Sequence, residues 1–241
     1  MAVFYDVTQI ERLERVRQEF LSNISHELRT PLTSIMAFVE TLEDGAIDDP
    51  ESSRKFLSVI RRNAQRMHTL ISTILELSQI ESGKVFIDKQ SVRVAKIVDE
   101  IFLGLGPTAD ARSIALINDI AADARVEADA SRLEQMLTNL IDNAIKFNRD
   151  GGTVTVASAT REGTDLISVA DTGEGILTSH LPRVFERFYR ADRSRSRDVG
   201  GTGLGLAIVK HLARLHSGDV SVSSELSRGS TFVIELPRCP S

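Results

Sequence analysis

The chain has 241 residues, with 29 basic and 34 acidic side chains and a formal net charge of -5 at pH 7. This acidity argues against a nucleic-acid binder, which needs an excess of Lys and Arg, and the absence of any run of about 18 apolar residues argues against a membrane span. With no secretory signal and a single cysteine, Cys239, the sequence predicts a cytoplasmic protein.

Residues 8–82 predict two long helices. Apolar side chains recur every three or four positions in residues 13–42 and again in residues 56–77, which is the period of an amphipathic helix. A lone pair of such helices would leave much apolar surface in water. We therefore expect a homodimer in which two hairpins form a four-helix bundle.

The break between the two helices is predicted at residues 44–50. Asp49 can cap the second helix, Pro50 can occupy its first turn, and Gly83 can end it. Upstream of the first helix, residues 3–8 have the pattern of a short strand that leads into a helix. This pattern predicts that a sensory domain precedes the chain.

A histidine motif lies in the first predicted helix. His26 is followed directly by Glu27, and Thr30 stands four residues after the histidine. Pro31 comes next, and a proline inside a helix removes a hydrogen bond and crowds the carbonyl four residues back, here that of Glu27. A weakened helix beside a titratable imidazole predicts a reactive site at which side chain and backbone move.

After residue 83 the pattern changes to short strands and helices without strict βαβ repetition. Strands are predicted at 85–88, 115–119, 126–128, 153–159, 165–170, 220–224 and 231–236, and helices at 92–105, 131–147 and 204–216. This order predicts an α/β sandwich of the α+β type, with helices on one face of a sheet. The fold class is therefore a helical hairpin followed by a mixed domain.

Asn139, Asn143 and Lys146 lie on one predicted helix. Residues four apart share a helix face, so the two amides would point the same way. Amide oxygens are suitable ligands for Mg²⁺, and a lysine can bind phosphate as a point charge. Taken alone, the pattern fits a nucleotide site and a solvated polar face equally well.

Asp171 follows a predicted strand and precedes Gly173 and Gly175. A carboxylate at the end of a strand can accept a hydrogen bond from the amino group of adenine, while the glycines let the backbone approach the base. The alternative is an ordinary turn.

Gly201, Thr202, Gly203, Leu204 and Gly205 belong to a glycine-rich segment that opens a helix. Backbone N–H groups at such a position can bind phosphate, helped by the helix N-terminus. The segment is superficially similar to a dinucleotide fingerprint, but it lies late in the chain and outside a βαβ unit.

Arg187 and Arg190 flank aromatic residues just before a run of arginines at residues 193–197. The run is either a solvated loop or part of a mobile lid over a nucleotide, with Arg187 or Arg190 facing the phosphates. Thr231 lies in the turn that enters the last predicted strand, and by itself this position does not indicate a function.

Five motifs of this sequence occur in the order found in one known family. They lie at residues 25–33, 139–147, 171–176, 185–190 and 200–205. In this order they resemble the H-box, N-box, first glycine box, F-box and second glycine box of the sensor histidine kinases of two-component systems. The first residues also resemble the exit of a PAS sensory domain, as in phosphate-sensing members.

The resemblance implies a dimerisation and phosphotransfer hairpin in residues 20–83 and a Bergerat-type ATP-binding domain in residues 84–241. Residues 1–19 would end an upstream PAS-like domain and form a coiled-coil signalling helix. The implied activities are autophosphorylation by ATP, phosphotransfer to a response regulator, and phosphatase activity toward that regulator. The implied partners are a second copy of the chain and the cognate regulator, and a membrane would be reached only through parts outside this chain.

The resemblance also implies roles for individual residues. In the hairpin, His26 would accept the phosphoryl group, Glu27 would act as general base, and Thr30 would position water during dephosphorylation of the regulator. In the ATP-binding domain, Asn143 would be the main Mg²⁺ ligand and Asp171 would read adenine. The remaining nucleotide contacts would come from Asn139, Lys146, Gly173, Gly175, Arg187, Arg190, Gly201, Thr202, Gly203, Leu204, Gly205 and Thr231.

The sequence departs from the family pattern at Ala37, Asn148 and Arg228, and none of the three is expected to remove an essential group. Two other classes share part of the pattern. ATPases of the chaperone and topoisomerase type share the Asn, Asp and Gly motifs but lack the histidine motif. A dimeric scaffold that binds nucleotide without phosphoryl transfer is the other alternative.

Overall fold

The computed structural model describes residues 8–83, 85–191 and 202–238, without the side chains of residues 8–17 and 81. It divides into two compact units, with the boundary between Leu77 and Ser78. Several positions singled out in the sequence lie outside the described residues: 3–7, Arg193, Arg195, Arg197, Gly201 and Cys239. Within the described part of the chain, no helix is long and apolar enough to cross a bilayer.

The first unit is built from a hairpin of long helices, as the sequence predicts. Helix α1 spans Thr8–Glu43, a short 3₁₀ turn spans Ala46–Asp48, and helix α2 spans Pro50–Glu81. The Asp49 carboxylate accepts hydrogen bonds from the backbone N–H groups of Glu51 and Ser52 at 3.2 and 3.4 Å. The predicted cap is therefore present at the start of α2.

Contacts between α1 and α2 follow one antiparallel register. The rings of Phe38 and Phe56 have centroids 5.3 Å apart, and Asn63 Nδ2 donates to Ser34 Oγ at 3.3 Å. The hairpin also leaves large apolar side chains exposed, namely Leu21, Leu32, Met36, Val39, Leu57, Ile71 and Leu75.

Helix α1 continues without a break through Pro31, whose side chain is buried. The Thr30 hydroxyl donates to the His26 carbonyl at 3.3 Å, and the Thr33 hydroxyl donates to the Arg29 carbonyl at 2.9 Å. Such bonds to the carbonyl four residues back compete with the backbone and bend helices. The proline thus leaves the Glu27 carbonyl, next to the histidine, without its usual backbone donor, but it does not end the helix.

The second unit contains a five-stranded sheet with the strand order β2-β4-β5-β7-β6. Its strands are β2 Ala115–Asp119, β4 Thr153–Arg161, β5 Thr164–Asp171, β6 Asp219–Glu225 and β7 Gly229–Pro237. Strand β2 runs parallel to β4, and the other neighbours are antiparallel. A separate two-stranded sheet pairs β1 Gln90–Arg93 with β3 Arg125–Ala128.

In the described part of this unit, three helices pack with the sheet: α3 Val94–Asp110, α4 Ala130–Lys146 and α5 Gly205–Leu215. Helix α3 contacts β2 and α4, while α4 contacts β4, β5 and α5. Buried side chains at the core include Leu133, Met136, Leu137, Leu140, Ile141, Val154, Val156, Ile167, Val169, Val209, Leu212 and Ile234. Alternation of buried residues along β4 and β5 puts one face of the sheet against the helices, as predicted.

The N-terminus of α4 is held by two side chains. Asp129 caps the helix and accepts from the backbone N–H of Arg132 at 3.1 Å. His216 is 1% exposed, and its Nε2 accepts from the backbone N–H of Asp129 at 3.1 Å while Nδ1 lies 2.8 Å from the Leu212 carbonyl. Because its burial disfavours the charged form, the pKa of His216 is lowered and the imidazole is neutral.

The strand predicted at residues 85–88 is wrong, because residues 85–89 contain no strand. Val85 and Ile87 are half-buried and Phe86 is 87% exposed, so the alternation exists without a pairing partner. Strand β3 is short, and its register pairs Gln90 with Ala128. The first strand therefore begins at residue 90.

Helix α3 is longer than predicted and continues to Asp110, past Gly104, Gly106 and Pro107. The predicted helix ended at residue 105, between the two glycines, but neither glycine has a positive φ. The left-handed residue after this helix is Ser113, with φ 54.

Candidate active site

Helix α4 presents the amide residues predicted from the sequence. Asn139 and Asn143 are half-buried on a face of α4 that differs from the buried face formed by Leu137, Leu140, Ile141 and Ala144. Lys146, in the last turn, forms an ion pair with Asp142 on the same helix. This pair is a contact that the motif alone did not predict.

Asp171 is the last residue of β5. Its Oδ1 accepts a hydrogen bond from the backbone N–H of Gly173 at 2.8 Å. Burial raises the pKa of Asp171, while hydrogen bonds from the backbone N–H groups of Gly173 and Ser230 act in the opposite direction. Because Asp171 is only half-buried, its carboxylate can accept a further donor from a ligand.

The glycines after Asp171 lie where no side chain would fit. A Cβ at Gly173 would overlap the carbonyl oxygen of Phe147, and a Cβ at Gly175, which has φ +69, would overlap the carbonyl oxygen of Glu225. The Glu174 backbone N–H also donates to the Phe147 carbonyl at 3.2 Å. The loop is therefore packed between the end of α4 and the turn from β6 to β7.

The second glycine segment approaches α4 at Asn139. A Cβ at Gly205 would lie 3.2 Å from Asn139 Oδ1, so the start of α5 lies against the amide. Gly203, with φ +71, packs against Phe188, whose N–H donates to the Gly203 carbonyl at 2.8 Å. Amide oxygens and a close-packed helix start are a donor set that fits Mg²⁺ and phosphate.

The other predicted site residues lie on further segments of the second unit. Thr231 lies in β7 opposite Ala170, the neighbour of Asp171. The Thr202 hydroxyl accepts from the Leu204 N–H at 3.4 Å. Arg187 and Arg190 are half-buried on the segment after a 3₁₀ turn at Leu181–Arg183.

Arg112 supports the C-terminal end of α4 and was missed by the sequence reasoning. Its guanidinium donates to the carbonyls of Ile145 at 2.6 Å, Lys146 at 3.1 Å and Asn148 at 2.6 Å. These carbonyls lie at and just after the C-terminal end of α4, where a helix leaves its last carbonyls without intrahelical partners, and the Ile145 carbonyl also accepts from the Asn148 N–H at 3.4 Å. Arg112 belongs to none of the motifs, so no local signal pointed to it.

Asn148 joins the end of α4 to the loop that follows Asp171. Its amide nitrogen donates to the Thr153 carbonyl at 3.0 Å, and its Oδ1 accepts from the Thr172 hydroxyl at 3.4 Å. The side chain is 3% exposed. A residue that the sequence marked only as a departure from the family pattern therefore connects two of the predicted motifs.

Replacement of Arg112 by Ala should lower the free energy of unfolding by about 1 to 3 kcal/mol, because partly buried carbonyls lose a charged donor at a helix C-terminus. Chemical denaturation of the whole chain measures the change. Arg149→Ala removes an exposed arginine from the same region and should have little effect. Equal stability of the two variants would contradict the role of Arg112.

The histidine motif lies in the first unit. His26 and Thr30 are exposed on α1, whereas Glu27 is half-buried. Glu27 Oε2 lies 3.4 Å from Nη2 of Arg66, which is on α2. Arg66 is a second residue near a predicted site that the motifs did not indicate.

Two family models match the chain. Residues 16–83 match the His Kinase A (phospho-acceptor) domain, and residues 128–240 match the histidine kinase-, DNA gyrase B- and HSP90-like ATPase family. The sensor histidine kinase WalK of Bacillus subtilis strain 168 is 37% identical over 239 residues, covering 98% of this chain and 39% of WalK. The chain belongs to the sensor histidine kinases of two-component systems.

Solved histidine kinases share the fold. Full-length ShkA in complex with AMPPNP is 27% identical, with a TM-score of 0.69 over 92% of this chain and 46% of ShkA. ThkA in complex with the response regulator protein TrrA has a TM-score of 0.75 over 99% of this chain and 69% of ThkA, but its identity of 23% supports the fold alone. The family and the fold class predicted from the sequence are confirmed.

The comparisons also bear on the alternatives. The match of residues 16–83 to the phospho-acceptor domain separates this histidine kinase from ATPases of the chaperone and topoisomerase type.

The chain spans only 39 to 40% of the length of the curated relatives it matches.

Proposed function

We propose that this chain is the catalytic core of a sensor histidine kinase that transfers the γ-phosphoryl group of ATP to His26 and then to an aspartate of a response regulator. The observation that carries the proposal is an exposed histidine followed by a glutamate, within a phospho-acceptor match and on the same chain as an ATPase unit. We assign the hairpin to residues 20–83, the ATP-binding domain to residues 84–241, and residues 1–19 to the end of an upstream signalling segment.

The transfer step makes one bond and breaks one. A lone pair on one nitrogen of the His26 imidazole attacks the γ-phosphorus, and the bond from that phosphorus to the bridging oxygen of ADP breaks. ADP leaves with the electron pair. Glu27 holds the proton on the other ring nitrogen, which keeps the attacking nitrogen unprotonated.

The ATP site is assigned to the second unit. Asp171 would accept from the amino group of adenine, and Asn143 and Asn139 would hold Mg²⁺ beside the phosphates. When bound, Mg²⁺ neutralises charge on the phosphates. The other proposed contacts come from Lys146, Gly173, Gly175, Arg187, Arg190, Gly201, Thr202, Gly203, Leu204, Gly205 and Thr231. The AMPPNP complex of ShkA supports nucleotide binding by this fold.

A homodimer is part of the proposal. The apolar residues that the hairpin exposes include Leu32, Met36 and Val39 on α1 and Ile71 and Leu75 on α2. They recur at steps of three and four, which suits helix-to-helix packing in a bundle. Because ATP is the donor, we place the reaction in the cytoplasm.

The test is labelling of the protein with γ-³²P-ATP, followed by transfer to purified response regulators. We expect label that acid removes and base retains, and rapid transfer to one cognate regulator. Hydrolysis of ATP without labelled protein would contradict the proposal and would favour an ATPase of the chaperone or topoisomerase type.

Replacement of Thr30 by Ala should lower phosphatase activity toward the phosphorylated regulator by about 10- to 100-fold, because water would lose its positioning group. Autophosphorylation should continue, since Ala favours the helix. The measurement is loss of label from the regulator in the presence of ADP. Thr33→Ala is a matched control, because Thr33 is also exposed and also donates to the carbonyl four residues back. Equal dephosphorylation by both variants would rule out the role of Thr30.

A further inference from the structure

Arg66 reaches from α2 to the carboxylate that follows His26. Its Nη2 lies 3.4 Å from Glu27 Oε2, and the side chains of Arg66 and Glu27 are 30% and 29% exposed. The two residues are 39 positions apart in the sequence. The contact therefore depends on how the two helices pack and not on a local turn.

The pair is part of an ordered series of contacts along the hairpin. Moving along α1 from its C-terminal part, Phe38 meets Phe56, Ser34 meets Asn63, and Glu27 meets Arg66. The positions fall on one antiparallel register, and Ser34 and Glu27 are a heptad apart. The packing of α1 against α2 thus directs Glu27 toward Arg66.

The ion pair with Arg66 competes with the proposed role of Glu27 as general base at His26, because of where the two side chains lie on the helix. Adjacent residues on a helix point about 100° apart and do not face each other. The Glu27 carboxylate is directed toward α2, whereas His26 is exposed. Arginine stays charged and offers several donors to a carboxylate, so Arg66 is a favourable partner for Glu27 on the side of α2.

We propose that Arg66 is a positioning residue that restrains autophosphorylation, and that Glu27 serves His26 only when it leaves Arg66. The inference rests on the proposed function, because it assumes that Glu27 is the general base and proposes that Arg66 controls it. The ion pair represents the restrained arrangement of the hairpin. Any change in helix packing that separates α1 from α2 at this level would release the carboxylate.

The first test is the initial rate of autophosphorylation of Arg66→Gln. We expect kcat to rise about two- to fivefold, the range set by a partly exposed ion pair, with an unchanged KM for ATP. Arg66→Lys keeps the charge and should stay near the parent rate. Arg62→Gln removes an exposed arginine one turn earlier on α2 and is the matched control, with no expected change. If Arg66→Gln does not fold, Arg66→Met, which keeps the aliphatic stem, replaces it.

A second test separates restraint from a structural role. Salt screens a partly exposed ion pair, so the ratio of the Arg66→Gln rate to the parent rate should fall toward one as NaCl increases. A structural defect would lower the rate at every salt concentration. The double variant Glu27→Gln with Arg66→Gln should be as slow as Glu27→Gln alone.

The outcomes distinguish this inference from the proposed function. An Arg66→Gln rate equal to or below that of the parent, with Glu27→Gln impaired, would overturn the role of Arg66 and leave the general base in place. A Glu27→Gln variant that labels at the parent rate would overturn the role of Glu27 itself.

Discussion

His26→Ala should incorporate at least about 10³-fold less phosphate than the parent, because the variant lacks the nucleophile. It should still bind ATP with the parent affinity, since His26 lies in the first unit and the proposed nucleotide residues lie in the second. The fold should be unaffected. The side chain is exposed on α1, and Ala is the most favourable residue in a helix.

Two measurements check this prediction on the same preparations. Labelling with γ-³²P-ATP gives the phosphate incorporated, and calorimetric titration with AMPPNP gives the nucleotide affinity. His68→Ala is the matched control, because His68 is exposed on α2 in the same unit and should label like the parent. Normal labelling of His26→Ala would show that another residue accepts the phosphoryl group.

Local signals in the sequence were sufficient for much of the fold. The apolar stripes of α1 and α2, the Asp49 cap and the glycine after α2 involve residues a few positions apart, and the structure has all three. The strand at 115–119 was predicted with its exact bounds. The motif residues also lie on the predicted elements, with Asn139 and Asn143 on α4 and Asp171 at the end of β5.

What the sequence could not supply depends on contacts between distant segments. Arg112 meets carbonyls more than 30 positions away, and Arg66 meets Glu27 only through the packing of two helices. No spacing rule joins such positions. The strand predicted at 85–88 failed for the same reason, since pairing with β3 decides where β1 begins.

Asp171→Asn should weaken ATP binding by about 10- to 100-fold, the loss of a hydrogen bond to a charged acceptor. The Asn side chain also carries an NH₂ group, which is a donor and cannot accept from the amino group of adenine. The fold should keep its stability, because burial disfavours the charged form of Asp171 and an amide oxygen can still accept from the Gly173 N–H. Calorimetry with AMPPNP measures the affinity. Asp123→Asn, an exposed change of the same kind, should bind like the parent.

The raised pKa of Asp171 adds a pH test of the same assignment. Burial shifts the pKa upward, so the carboxylate gains its proton at a higher pH than an exposed aspartate does. As the pH falls through this raised pKa, the stronger, charged acceptor is lost and ATP affinity should decrease. Protonation of ATP itself affects parent and variant alike, so the ratio of their affinities isolates Asp171. This ratio should approach one at low pH, and a ratio that stays constant across the titration would show that adenine does not bind to the carboxylate.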